Sequence, residues 1–146
     1  MIMTYFLTLQ DVEDLLNQYA EQYAYDEPLE PFESANKEKL ESVLHAPQRE
    51  FYDNMLYSTL ESQAAVLFYE MIKMHPFVNG NKRMACICLF SFLSENGCWL
   101  YLSDAELYET AKETANTSTE DMEEEVKRLA SSIKSKMSTL ISQAQK

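Results

Sequence analysis

Two helical stretches of the chain meet at residues 75–83, which read His75-Pro76-Phe77-Val78-Asn79-Gly80-Asn81-Lys82-Arg83. Pro76 disfavours α-helical geometry at the residue before it, so the first helix is predicted to end near His75. The second helix is predicted to begin near Asn81 and to run to Asn96, with Gly97 as the residue that follows its end. These nine residues therefore form a tight loop between two helices of the core.

Four capping boxes of the form Ser/Thr-x-x-Asp/Glu predict where further helices begin, and each is followed by apolar residues at helical spacing. The boxes are Thr8 with Asp11, Ser58 with Glu61, Ser103 with Glu106 and Ser118 with Asp121. A short helix is predicted around Lys37 to Ala46, stopped by Pro47, and an exposed loop over Asp26 to Glu33. Trp99 to Leu102 is predicted to be a brief extended connection. The fold class is therefore all-α, a compact helical bundle with the loop between two central helices.

The last predicted helix has an apolar face, made of Met122, Val126, Leu129, Ile133, Met137 and Leu140. Such a face most simply packs on the core. The alternative is that it, or the groove beside it, receives a partner protein or a second copy of the chain. We divide the chain into a helical domain over residues 1–117 and a C-terminal amphipathic helix over residues 118–146 that packs on the same domain.

The composition excludes several classes of partner. With 12 basic and 24 acidic residues the chain has a formal net charge of -12, which repels nucleic-acid phosphates and anionic lipids.

Two glycines are too few for an all-β fold with many tight turns. The three cysteines are expected to be small core residues in a reducing compartment. Since no signal peptide or bilayer-spanning segment is visible, we expect a cytoplasmic protein.

The loop has the features of an anion site. The first N–H groups of the second helix and its dipole favour an anion, and Gly80 lets the backbone approach a ligand closely. Lys82 and Arg83 lie in the first helical turn, where cations oppose the dipole unless an anion is near. His75 precedes this site, and an imidazole suits general-base work on a hydroxyl, although a lone histidine at a helix end is more often structural.

The loop His75-x-Phe77-x-Asn79-Gly80-Asn81-Lys82-Arg83 resembles the signature of the Fic/Doc family, and specifically of its Doc (death-on-curing) toxin branch. The similarity covers roughly residues 7–117. It implies a helical bundle that transfers part of a nucleotide, with ATP as substrate and Mg²⁺ as cofactor, onto a protein hydroxyl. By this resemblance the catalytic residues are His75 as general base, Lys82 and Arg83. The resemblance further implies phosphate binding by Lys73, Gly80, Asn81, Lys82 and Arg83, and metal binding by Asn79.

Departures from the family pattern bear on which reaction is expected. The Fic branch that transfers AMP has glycine where Lys82 stands and a second arginine where Cys86 stands. Both changes are those of the Doc branch, which transfers a phosphoryl group from ATP to elongation factor Tu. A third departure is Asn79, because the residue at this position is usually acidic. An amide oxygen can bind Mg²⁺ but brings no charge to it.

The resemblance therefore implies a Doc-like toxin kinase, restrained by a separately encoded antitoxin protein. Two alternatives stay open. One is a Fic-type AMP transferase acting on a protein hydroxyl. The other, motivated by Asn79, is a regulatory or binding module on the same fold whose transfer activity is weak.

Overall fold

A computed structural model describes residues 3–19 and 28–139 of the chain. Within these ranges the chain is dominated by helices, and the predicted all-α class is confirmed. The helices are α1 Leu9–Tyr19, α2 Lys37–His45, α3 Leu60–Met74, α4 Asn81–Glu95, α5 Asp104–Ala115 and α6 Met122–Lys136. Short strands form two antiparallel pairs, namely β1 Glu50–Phe51 with β2 Asn54–Met55, and β3 Cys98–Leu100 with β4 Met137–Thr139.

Helices α3 and α4 form the centre of the molecule. Residues 63–72 of α3 and 83–89 of α4 are buried without interruption, as expected of helices that are covered on all sides. α3 packs against α4 and α6, while α4 also contacts α1 and α5. The loop that joins α3 to α4 is therefore supported by the two most buried elements of the fold.

Three predicted helix starts are found where the sequence placed them. The Asp11 amide donates to Thr8 Oγ1 over 3.1 Å, and the Thr8 amide donates to Asp11 Oδ2 over 2.9 Å. The Glu106 amide donates to Ser103 Oγ over 3.1 Å and opens α5. Ser118 opens a 3-10 turn, Thr119–Asp121, which leads directly into α6. These signals are local, so the sequence alone suffices to read them.

The predicted box of Ser58 with Glu61 is wrong by one residue. Thr59 caps α3, because its Oγ1 accepts from the Ser62 amide over 3.2 Å and Ser62 Oγ accepts from the Thr59 amide over 3.1 Å. A serine hydroxyl thus takes the place that the capping-box pattern reserves for Glu or Gln.

The last helix ends earlier than its apolar stripe suggested. Val126, Leu129 and Ile133 are buried, but α6 stops at Lys136 and the chain continues as strand β4 beside β3. Backbone pairing with residues 98–100 therefore replaces the next helical turn. Leu140 lies outside the described residues, and the division of the chain at residue 117 stays a prediction.

Other predictions on the framework have mixed outcomes. The extended connection is found one residue early, as β3, and all three cysteines are buried. The loop predicted over Asp26 to Glu33 is described from residue 28 onward, and it is not exposed throughout, since Phe32 is buried in a 3-10 turn. In the described part of the chain, every helix is too short or too polar to cross a bilayer.

Candidate functional site

The loop begins with a histidine in an unusual backbone conformation. His75 follows the end of α3 in the left-handed region, with φ 49° and ψ 58°, where non-glycine residues are uncommon. The turn exposes the imidazole and directs Pro76 and Phe77 back into the molecule, where both are buried. Phe77 therefore anchors the loop in the core.

Asn81 closes the loop with its side chain. Its Oδ1 accepts from the Phe77 amide over 3.0 Å, and its Nδ2 donates to the Phe77 carbonyl over 3.1 Å. A carboxamide that bonds both backbone groups of one residue imitates a β-bridge. Since Asn81 is buried, these bonds have little competition from water and fix the loop between the two residues.

The same amide also contacts the His75 ring. Asn81 Nδ2 lies 3.3 Å from His75 Nδ1. Because Asn81 Oδ1 is held by the Phe77 amide, the group that faces the imidazole is an NH₂, which can only donate. His75 Nδ1 is then the acceptor, and the neutral ring carries its proton on Nε2. The lone pair of the ring is therefore at Nδ1.

The start of α4 is a concentration of positive charge. Its N-cap is Gly80, with φ 73°, which has no side chain to cap the first amides of the helix. Its first turn contains Lys82 and Arg83 and has no acidic residue. Arg83 is buried against the loop, and a Cβ on Gly80 would lie 3.0 Å from Arg83 Nη2. Helix amides and two cations together favour an anionic ligand here.

An open cavity of about 260 Å³ lies at this helix start. Its walls are formed by Ile72, His75, Val78, Asn79, Gly80, Asn81, Lys82, Arg83, Tyr108 and Ala115. The structure thus brings six predicted site residues to one cavity. Its volume is below the roughly 300–1,000 Å³ of pockets for drug-sized ligands, and it suits a small polar group such as a phosphate.

Two wall residues come from α5, and the sequence reading did not assign them to the site. Tyr108 and Ala115 are seven residues apart, so they share one face of the helix. That periodicity is visible in the sequence. It does not say which neighbour the face meets, and only the packing of α5 on α4 places it beside the loop.

The predicted phosphate ligand Lys73 has other partners. Its ammonium donates to the carbonyl of Ala115 over 3.3 Å and to that of Thr117, and it is not part of the cavity wall. A lysine near the end of a helix commonly satisfies such carbonyls. Here it ties α3 to the end of α5. A role of Lys73 in binding phosphate stays a prediction.

The predicted metal ligand Asn79 is also engaged. Its Nδ2 donates to the Pro28 carbonyl over 2.8 Å, and its Oδ1 accepts from the Glu30 amide over 3.1 Å. No group of three or more His, Cys, Asp or Glu side chains that could hold a metal occurs among the described residues. Mg²⁺ prefers several hard oxygen ligands with charge, and the neutral, already bonded Asn79 does not fit that requirement.

Cys86 faces a second cavity, of about 350 Å³, between α1, α4 and α5. Burial and, to a smaller extent, the nearby charge of Asp104 together raise the pKa of its thiol to about 12. The thiol is therefore neutral at physiological pH. It brings no positive charge to the position where the AMP-transferring relatives are expected to have an arginine.

The family model described as the Fic/DOC family matches residues 6–93 of the chain. The match includes α1 to α3, most of α4 and the whole loop, but not Tyr108 and Ala115. No curated protein and no solved structure matches the chain significantly.

Proposed function

Because the chain belongs to the Fic/DOC family, whose members transfer nucleotide-derived groups to proteins, we propose that it moves the γ-phosphoryl group of ATP onto a protein hydroxyl. One observation carries the proposal: His75 and the first turn of α4, including Lys82, line the same cavity. His75 is the proton acceptor and the helix start is the anion site, so the cavity brings the two together.

The helix start holds the phosphates in this proposal. The amides of the first turn of α4 and the side chains of Lys82 and Arg83 would bind the oxygens of ATP. Phosphoryl transfer needs little covalent help from the protein, mainly positioning and compensation of charge. The bond between the target hydroxyl oxygen and the γ-phosphorus forms while the bond from that phosphorus to the bridging oxygen breaks, and ADP leaves.

His75 receives the proton of the target hydroxyl. In the neutral ring the lone pair is at Nδ1, which the Asn81 amide contacts over 3.3 Å. Ordinary N–H hydrogen bonds measure about 2.7–3.2 Å, so this contact is long and little is lost when Nδ1 turns to the substrate. The backbone turn therefore places His75 at the cavity, and the long amide contact leaves Nδ1 able to react.

Two features favour phosphoryl over AMP transfer. Lys82 lines the cavity, and a lysine there takes up space that the glycine expected in AMP-transferring relatives would leave open. The neutral thiol of Cys86 provides no second phosphate clamp. By resemblance to the Doc branch, we extend the proposal to elongation factor Tu as target and to a toxin restrained by a separate antitoxin.

A second candidate function has its own observations. The side chains of Lys73 and Asn79, two residues of the predicted site, are hydrogen-bonded to backbone atoms. A module that binds an anionic ligand and transfers nothing would need the anion site at the start of α4, but it would not need Lys73 or Asn79 as ligands.

Labelled ATP distinguishes these readings. We expect label to move from γ-labelled and not from α-labelled ATP to a protein in a bacterial lysate, and to purified elongation factor Tu. Lys82→Gly should slow the transfer by raising its activation free energy by roughly 2–4 kcal/mol, which is typical of losing one preorganised electrostatic group. Lys134→Gly, on the exposed end of α6, is the matched control. A target mass increase of an AMP unit would support the AMP transferase, and no transfer of either label would support the binding module.

A further inference from the structure

Residues 28–30, which we name the strap, lie against the active loop. The strap is bonded at both its ends by one side chain, since Asn79 donates to the Pro28 carbonyl over 2.8 Å and accepts from the Glu30 amide over 3.1 Å. A carboxamide that pairs with backbone groups two residues apart acts like a neighbouring β-strand. The contact joins parts of the chain that are 49 and 51 residues apart in sequence.

The strap also packs on the loop. A Cβ built on Gly80 would overlap Leu29 Cδ2, so the Leu29 side chain fills the space that the glycine leaves free. Beyond the strap, the Asn36 amide donates to the Pro76 carbonyl over 2.8 Å. The segment that begins with the strap is thus attached at three positions along the loop.

We propose that Asn79 is a positioning residue that fastens the strap onto the loop, and that this role replaces metal coordination at its position. A carboxylate could accept from the Glu30 amide, but it could not donate to the Pro28 carbonyl, and two oxygens 2.8 Å apart would repel each other. Of the amide and the ionised acid, only the amide makes both bonds. The departure from an acidic residue therefore has a physical reason within this chain.

The fastened strap supports the anion site. It holds Leu29 against Gly80, which is the N-cap of α4 and lies in the wall of the cavity. Preorganised donors bind a ligand more tightly, because less ordering remains to be done on binding. This consequence rests on the proposed function, whereas the fastening itself does not.

Hydrogen exchange of the Glu30 amide tests the fastening directly. In the wild type this amide should be protected, and Asn79→Ala should remove the protection because both bonds are lost. In Asn79→Asp the Glu30 amide should be protected only at low pH, where the neutral acid has an O–H that donates to the Pro28 carbonyl. Since the fastened strap favours that neutral form, the carboxyl should titrate above its usual value of about 3.9.

Asn96→Asp is the matched control. Asn96 makes the same pair of bonds to the backbone of Tyr5, over 2.7 and 2.9 Å, at the opposite end of α4. In this variant, as in the wild type, Glu30 protection corrected for intrinsic exchange should not change between about pH 4 and about pH 7. Amides of α3 report whether each variant is folded.

Two further measurements distinguish the possible failures. Faster exchange at Glu30 when Mg²⁺ alone is added to the wild type would mean that Asn79 leaves the strap for the metal, and that result would overturn the proposal. Equal protection in the wild type and Asn79→Ala would overturn it too. ATP affinity without metal should fall roughly three- to tenfold in Asn79→Ala, and stay at the wild-type value in Asn96→Asp. If exchange follows the expectation but the wild type binds no ATP, the fastening of the strap by Asn79 is supported and the proposed function is contradicted.

Discussion

The two ends of α4 share two structural features but differ in their surroundings. Each end has a glycine at positive φ, Gly80 at 73° and Gly97 at 76°, and each has an asparagine side chain bonded to the backbone of another segment. Around Gly97 a Cβ would meet no described atom within 4 Å, whereas at Gly80 it would meet Leu29 and the Arg83 guanidinium. The free space around Gly97 shows that a glycine at a helix end does not need close neighbours. The close neighbours of Gly80 therefore distinguish the end of α4 that carries the site, and substitutions at the two ends test this difference.

The largest expected effect is at the crowded end. His75→Ala should lower the rate of target modification by roughly 10²–10⁴-fold, the usual contribution of a general base. The thermal midpoint should change little, because the side chain is exposed. His45→Ala, which removes the exposed histidine at the end of α2, should retain full activity. Modification at the wild-type rate by His75→Ala would exclude the general-base role.

The next effect compares the two glycines directly. Gly97→Ala should lower the free energy of unfolding by about 1–2 kcal/mol, the cost of a Cβ in left-handed geometry. Gly80→Ala should cost more than this, because Leu29 must also leave its position. It should also weaken ATP binding, while Gly97→Ala should not. Equal losses of stability in urea unfolding, with equal ATP affinities, would mean that the crowding has no energetic consequence.

A smaller effect is expected at Lys73, where the structure and the sequence prediction lead to different results. Lys73→Met keeps the apolar stem and removes the donor to the carbonyls of Ala115 and Thr117. We expect a loss of about 1–2 kcal/mol in unfolding free energy and unchanged ATP affinity. Weaker ATP binding at unchanged stability would instead support Lys73 as a phosphate ligand. Lys134→Met, on exposed surface, is the control for removal of one charge.

What the sequence predicted well was governed by neighbouring residues. Pro76 and Gly97 act on the backbone beside them, so the C-terminal ends of α3 and α4 could be read directly. Where two hydroxyls follow each other, as at Ser58 and Thr59, the pattern did not discriminate. The choice depended on a bond from Ser62, whose hydroxyl the acidic-residue rule does not consider.

What the sequence did not predict depends on contacts between distant segments. The partners of Lys73 are 42 and 44 residues away, and those of Asn79 are 49 and 51. Residue type gave each side chain a plausible ligand, an anion for the lysine and a cation for the amide oxygen. The fold instead places backbone carbonyls and amides beside them, and no local pattern reports that placement.

The smallest expected effect is at the open end of α4, and it depends on pH. Asn96 holds the backbone of Tyr5, whose hydroxyl donates to Asp11 Oδ2 over 2.7 Å. Burial by itself raises the pKa of the Asp11 carboxyl, but hydrogen bonds from Thr8 and Tyr5 outweigh it and leave that pKa below its ordinary value. A carboxyl with a lowered folded pKa stabilises the fold above its unfolded pKa of about 3.9, and this contribution is lost as pH falls through the folded value.

Asp11→Asn should therefore be less stable than the wild type near neutral pH, by under about 1 kcal/mol because the carboxyl is largely exposed. In urea unfolding the difference should shrink below about pH 4, where the wild-type carboxyl becomes protonated. Asp14→Asn, three residues along α1, controls for the loss of one charge. Glu30 exchange at the crowded end should be the same in all three proteins, because the strap has its own fastening. A stability difference that persists undiminished through the acid range would show that Asp11 acts through its shape alone.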